Sequence, residues 1–76
     1  MAQFTLYSSE GCHLCEQALV LCRQAGIEER LTVTDIVNNE HLAERYGMHI
    51  PVLERQSDNR QLFWPFSLVE IKELVG

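Results

Sequence analysis

No apolar run in the chain approaches the length that spans a bilayer, and Met1-Ala2-Gln3-Phe4 offers neither the basic region nor the apolar stretch of an export signal. A membrane span and a secretory leader are therefore not expected, and the cytoplasm is the expected location. Basic residues are scarce as well. Six Lys and Arg stand against eleven Asp and Glu, for a formal net charge of −5, and the six are scattered. Nucleic acid and anionic membranes both need a basic footprint, so neither is an expected partner. Cysteine is too sparse for a stapled secreted scaffold: there are three, an odd number, and two of them sit three positions apart. Linkers, internal repeats and low-complexity stretches are missing too. That leaves one domain over residues 1–76, with a monomer as the simplest expectation.

What is present is an ordinary globular mixture, 46% hydrophobic and 22% charged. A chain of this size buries only about 60% of the surface it exposes when unfolded, so it has room for one core and one site.

Over residues 3–7, Phe4 and Leu6 alternate with Thr5 and Tyr7, a period-two run of β-formers that stops at Ser8-Ser9-Glu10-Gly11. The period then changes. Leu14, Ala18, Leu21 and Ala25 fall at i, i+4, i+7 and i+11, and Gly26 offers a helix-terminating position. Residues 31–37 are rich in β-branched side chains and predict a second strand, joined to the first by a right-handed crossover through the helix. Asn38 or Asn39 is placed to cap a short helix through Leu42, Ala43 and Tyr46, ended by Gly47 in the position that tolerates a left-handed backbone. Residues 50–53 and 61–64 flank the turn-rich Ser57-Asp58-Asn59-Arg60 and predict an antiparallel hairpin. Ser67 with Glu70 forms a capping box for a last helix whose apolar stripe is Leu68, Ile71, Leu74 and Val75. The order is β-α-β-α-β-β-α, an α/β domain with a mixed sheet.

The chemistry-bearing residues lie where the first strand hands over to the first helix. Cys12-His13-Leu14-Cys15 places Cys12 at a helix N-terminus, facing unpaired N–H groups and the positive end of the dipole. A thiolate is stabilised there, and a second cysteine one turn on is close enough to resolve a mixed disulfide. Cys12 is thus the candidate nucleophile and Cys15 the candidate resolving thiol. A zinc site is the rival reading, with His13, Cys22, His41 and His49 as further ligands, but a second paired motif at finger spacing is missing, so no metal is expected. Cys22 sits seven residues after Cys15 on the same helix face, where a free cysteine behaves as a small buried hydrophobe. His13 either tunes the thiolate or points to solvent.

Leu6-Tyr7-Ser8 before Cys12-His13-Leu14-Cys15, followed at a distance by Ile50-Pro51-Val52 opening a strand, resembles the thioredoxin-like superfamily and its glutaredoxin branch over essentially the full chain. Trp64-Pro65-Phe66 ahead of the last helix is similar to the short, divergent glutaredoxin-like proteins of bacteria. The resemblance implies a thioredoxin-like (glutaredoxin-like) fold: a four-stranded mixed sheet with helices on both faces. It also implies that Pro51 is cis and packs beside the dithiol, although an X-Pro bond is trans by default. By the same resemblance the Ile50 backbone pairs with a bound thiol peptide and Cys12 attacks. His13 and Trp64 complete the candidate substrate-binding set, Trp64 as an aromatic wall or as a lid on the core.

The chain departs from the glutaredoxin pattern in two places. Ser9 stands where a Lys is typical, and Phe63-Trp64-Pro65-Phe66-Ser67 replaces a Gly-Gly pair and an Asp. Bulky Trp64 and Phe66 hinder backbone approach by a γ-glutamyl group, and an acidic surface repels carboxylates, which argues against ordinary glutathione binding. The expected function is thiol-disulfide exchange on a protein or low-molecular-weight disulfide, with an external reductant and no cofactor. The alternative is a peptide-binding module that kept the fold and lost the redox chemistry.

Overall fold

The computed structural model describes residues 3–76. The β-forming run after Gln3 becomes strand β1 (Phe4–Ser8), followed by helix α1 (His13–Gln24), a short 3-10 turn (Glu28–Arg30) and strand β2 (Leu31–Asp35). Helix α2 (Glu40–Tyr46), the hairpin of β3 (Val52–Arg55) and β4 (Arg60–Phe63), and helix α3 (Leu68–Val75) complete the chain. The sheet order is β2-β1-β3-β4, with β1 parallel to β2 and antiparallel to β3, and β4 antiparallel to β3. This is the thioredoxin-like α/β arrangement.

Period-two alternation sends β1 side chains to two different cores. Phe4 and Leu6, with Leu53 of β3, pack against Ala18 and Cys22 of α1 and Ile71 and Leu74 of α3, and Ile27 and Phe66 close this cluster. On the opposite face Tyr7 and Val52 meet Ile36, Leu42, Tyr46 and Ile50 under α2. Tyr7 and Tyr46 stack with ring centroids 4.5 Å apart. Thr5, between the two apolar positions, is also buried, and its hydroxyl accepts a hydrogen bond from Gln56 Nε2 at 2.6 Å. The central strand is thus covered on both faces.

The caps behave as the sequence predicts at three helix ends. Asn39 Oδ1 accepts from Leu42 N at 3.2 Å, and Ser67 and Glu70 exchange reciprocal bonds of 3.2 and 3.0 Å. Gly26 and Ile27 donate back to Arg23 and Cys22, the Schellman pairing, and Ile27 is buried as its apolar contact.

Four expectations are corrected. The apolar stripe of α1 turns toward the cysteines: Cys15, Ala18 and Cys22 are buried, while Leu14 is 43% exposed. Thiols pack as apolar groups, so the true stripe is Cys15, Ala18, Leu19 and Cys22 at i, i+3, i+4 and i+7. Gly47 is not left-handed but right-handed at φ −53; a Cβ there would collide with the Ala43 carbonyl oxygen. The second strand stops at Asp35 because its carboxylate accepts the Val37 N–H at 2.8 Å, turning the chain. In the hairpin, Ile50 and Pro51 precede β3 and Trp64 follows β4; the turn spans residues 56–59, with Asn59 at φ 59.

Candidate active site

The register of the sheet gathers the candidate residues at one end. Tyr7 pairs with Val52, Val52 with Phe63, and Ser8 with Asp35. The loop after Ser8, the Ile50-Pro51 approach to β3 and the Trp64 exit from β4 therefore share that end of the sheet. Both proline-preceding peptides there, Ile50–Pro51 and Trp64–Pro65, are cis.

The loop from β1 to α1 is short and sharply bent. Ser9 O accepts the Cys12 N–H at 3.3 Å, and Gly11 at φ 78 takes the left-handed conformation that a side chain disfavours. The chain enters the helix at Cys12, whose extended backbone (φ −84, ψ 108) occupies the N-cap. That position usually holds a side-chain oxygen that accepts an orphan N–H of the first turn. Here the Cys12 sulfur does so, accepting from Cys15 N at 3.1 Å. The capping role thus puts the thiol against the positive end of α1.

Cys12 and Cys15 are joined as a disulfide with a Cα–Cα distance of 5.2 Å, inside the ordinary range for such bonds. The two sulfur-bearing residues are not equivalent. Cys12 is partly exposed at the rim, whereas Cys15 is 6% exposed and faces the interior. His13, between them, is exposed at the first helical position, its Nδ1 3.8 Å from Glu16 Oε2.

A cavity of 240 Å³ opens beside the disulfide. Its walls are Leu6 and Ser8 of β1, Ser9, Glu10 and Gly11 of the loop, Cys12, Cys15, Glu16 and Leu19 at the start of α1, and Val33 of β2. This is the β2 side of the dithiol. Ile50, Pro51 and Trp64 are not part of it. Ile50 packs into the core beneath α2 and donates its N–H to Tyr46 O at 3.0 Å, committing that group within the chain. Pro51 is buried and its carbonyl accepts the Trp64 N–H at 3.3 Å. Trp64 lies edge-on to Phe66, with ring centroids 5.2 Å apart, and packs against the larger core. The candidates thus fall into two groups, Cys12, His13 and Cys15 at the start of α1, and Ile50, Pro51 and Trp64 where the β3–β4 hairpin is entered and left.

Sequence reasoning passed over Glu10, Glu16 and Val33, which line the cavity. A signal for the carboxylates was present: they flank the dithiol at two residues before Cys12 and one after Cys15, and the first Lys or Arg of the chain is Arg23. Val33 carries no such signal, since only strand pairing brings it opposite Leu6.

Cys22 is buried without a partner thiol, and burial pushes its pKa up to about 11. It is no reactive nucleophile near neutral pH. Tyr7, half-buried beneath α2, donates its hydroxyl to Glu54 Oε1 at 2.8 Å; burial first, and then that carboxylate, push its pKa up to about 12. Among the described residues no three His, Cys, Asp or Glu side chains converge as metal ligands would, and no helix is long and apolar enough to cross a membrane.

The family model of the glutaredoxin-like domain (DUF836) matches residues 3–76. The chain belongs to this glutaredoxin-like family. Solved structures agree with that assignment. The X-ray structure of the structural-genomics target protein XcR50 from X. campestris is 32% identical, with 95% of this chain and 93% of that one covered and a TM-score of 0.86. The solution NMR structure of protein Ne2328 from Nitrosomonas europaea is 31% identical, with 96% and 89% covered and a TM-score of 0.74. No curated protein matches the chain. A glutaredoxin-like domain with adjacent cysteines at a helix N-terminus points to thiol redox chemistry as its general class.

Proposed function

We propose that the protein is a thiol-disulfide oxidoreductase in which Cys12 attacks and Cys15 resolves. The observation that carries this reading is the asymmetry of the pair: a rim sulfur at Cys12 that accepts the Cys15 N–H, backed by a buried sulfur one turn on. The N–H bond and the helix dipole favour the thiolate at Cys12, the form that attacks a disulfide. Burial keeps Cys15 away from external disulfides while leaving it within bonding reach of Cys12.

In the reaction the Cys12 thiolate attacks one sulfur of a substrate disulfide, forming a mixed disulfide and expelling the other half as a thiolate. The Cys15 thiol gives up its proton and its sulfur attacks Cys12, expelling the second half and leaving the internal Cys12–Cys15 bond. Two electrons pass from the dithiol to the substrate, and an external reductant returns them. The substrate is a protein or low-molecular-weight disulfide.

Alkylation trapping with mass spectrometry across a graded glutathione redox buffer tests the reading. Cys12 and Cys15 are expected to convert together while Cys22 stays reduced. Cys12→Ser should abolish exchange, and Cys15→Ser should accumulate a mixed disulfide at Cys12. Equal residual exchange in the two variants would overturn the role assignment. A dithiol unresponsive at every potential would leave the fold as a peptide-binding module.

A further inference from the structure

The cavity beside the disulfide has a definite chemical character. Leu6, Leu19 and Val33 give it an apolar wall, Ser8 and Ser9 line it with hydroxyl-bearing residues, and Glu10 and Glu16 bring the charge. Val33 is 51% exposed, so part of this apolar wall is open to solvent. None of the six Lys and Arg residues lines it. Several are engaged elsewhere: Arg23 pairs with Glu28 past the far end of α1, Arg55 with Asp58 in the hairpin turn at the opposite end of the sheet, and Arg45 lies over the Tyr46 ring. Glu10 has no ion-pair partner among the described residues, and Glu16 has only the neighbouring His13 imidazole at 3.8 Å.

We infer that this cavity selects disulfides carrying a cation beside the reacting sulfur. This rests on the exchange reading above and names the substrate class of the same site. An aliphatic stem lies along Leu19 and Val33, and its ammonium or guanidinium reaches Glu10 and Glu16 while the attached disulfide meets Cys12. Long basic side chains bury their stems in this way and keep the charged head near water. The same carboxylates repel anionic disulfides, glutathione disulfide among them. The shared chemistry is a cation one side chain away from the sulfur, found in an aminothiol disulfide and in a peptide with Lys beside cysteine.

The test follows the reduced full chain at about pH 8, above the ordinary imidazole range, with four disulfides. These are cystamine, a Cys-Lys dipeptide disulfide, neutral hydroxyethyl disulfide and anionic dithiodipropionate. Each rate is divided by that of 1-thioglycerol, a neutral thiol that is half of none of the four, with the same disulfide, which removes intrinsic reactivity, and then by the neutral substrate's value. That second ratio cancels any effect of a variant on the Cys12 thiolate itself. The cationic ratio is expected to exceed the anionic one. Glu10→Gln and Glu16→Gln should each lower the cationic ratio about fivefold, the effect of one unit charge near 4 Å in water. Raising the ionic strength from about 10 mM to about 1 M shortens the screening length from about 30 Å to about 3 Å and should collapse the preference. A larger ratio for cystamine assigns the source to aminothiols, and a larger one for the dipeptide assigns it to basic peptides. A cationic ratio unchanged in both variants, with the neutral disulfide still reduced, overturns the cavity's role and leaves exchange standing. Failure of all four disulfides to react overturns the exchange reading and the charge selection with it.

Discussion

Cys22 ties the chemistry of the thiols to the stability of the fold, and its titration can be isolated by one substitution. Its side chain is fully buried between α1 and the sheet, and burial raises its pKa from 9.0 to about 11. A group whose folded pKa lies above its unfolded value stabilises the protein fully below the unfolded pKa, and that contribution is lost as pH rises toward the folded pKa. The window here runs from 9.0 to about 11. At about 1.4 kcal/mol per pH unit, the thiol contributes about 2 to 3 kcal/mol that alkali removes. Cys22→Ala deletes the titration and leaves a small cavity, costing about 1 kcal/mol near neutral pH. The assay is urea unfolding from neutral pH to about pH 11 in a Cys12→Ser, Cys15→Ser background, where thiol exchange cannot reshuffle bonds. The parent should be the more stable near pH 7 and the less stable near pH 11. Tyr7, with its pKa raised to about 12, adds an alkaline loss of its own, but equally in both proteins. Parallel stability curves across the window would refute the burial argument for Cys22.

Two further predictions concern the scaffold. Asp58 accepts two bonds from Arg55, at 2.9 and 2.5 Å, and that guanidinium holds its carboxyl at about 2, below the ordinary 3.8. A depressed pKa gives stability that is present above 3.8 and lost as pH falls toward about 2, so Asp58→Asn should flatten acid unfolding in that interval, read by circular dichroism. Ser67→Ala removes the cap of α3 and one half of its box; it should cost about 1 kcal/mol, or about 4–8 °C in Tm for a domain of this size, by thermal melting.

The elements were legible because their signals are local. Alternation around Phe4 and Leu6, Asn39 and Ser67 as caps and Gly26 as a terminator all act within a few residues of the structure they specify. The errors arose where a distant or unconventional partner decides. Leu14 matched the helix period yet is exposed, because Cys15 and Cys22 take the buried positions that a thiol fills as well as a leucine. Gly47 carried the expected residue for a different reason, a close approach to the Ala43 carbonyl.

At the site the division is the same. Sequence alone determined the dithiol and its place at a helix start, since Gly11, Cys12 and the helical period that follows are contiguous. The choice of surface around the sulfurs belongs to tertiary structure. Parallel pairing of β1 with β2 sets Val33 opposite Leu6, and the cavity opens there with Glu10 and Glu16 on its walls. On the other side, Ile50 spends its N–H on Tyr46 and Trp64 packs against the larger core. Strand register and side-chain packing join residues far apart in the chain, and no local period records which of them will meet.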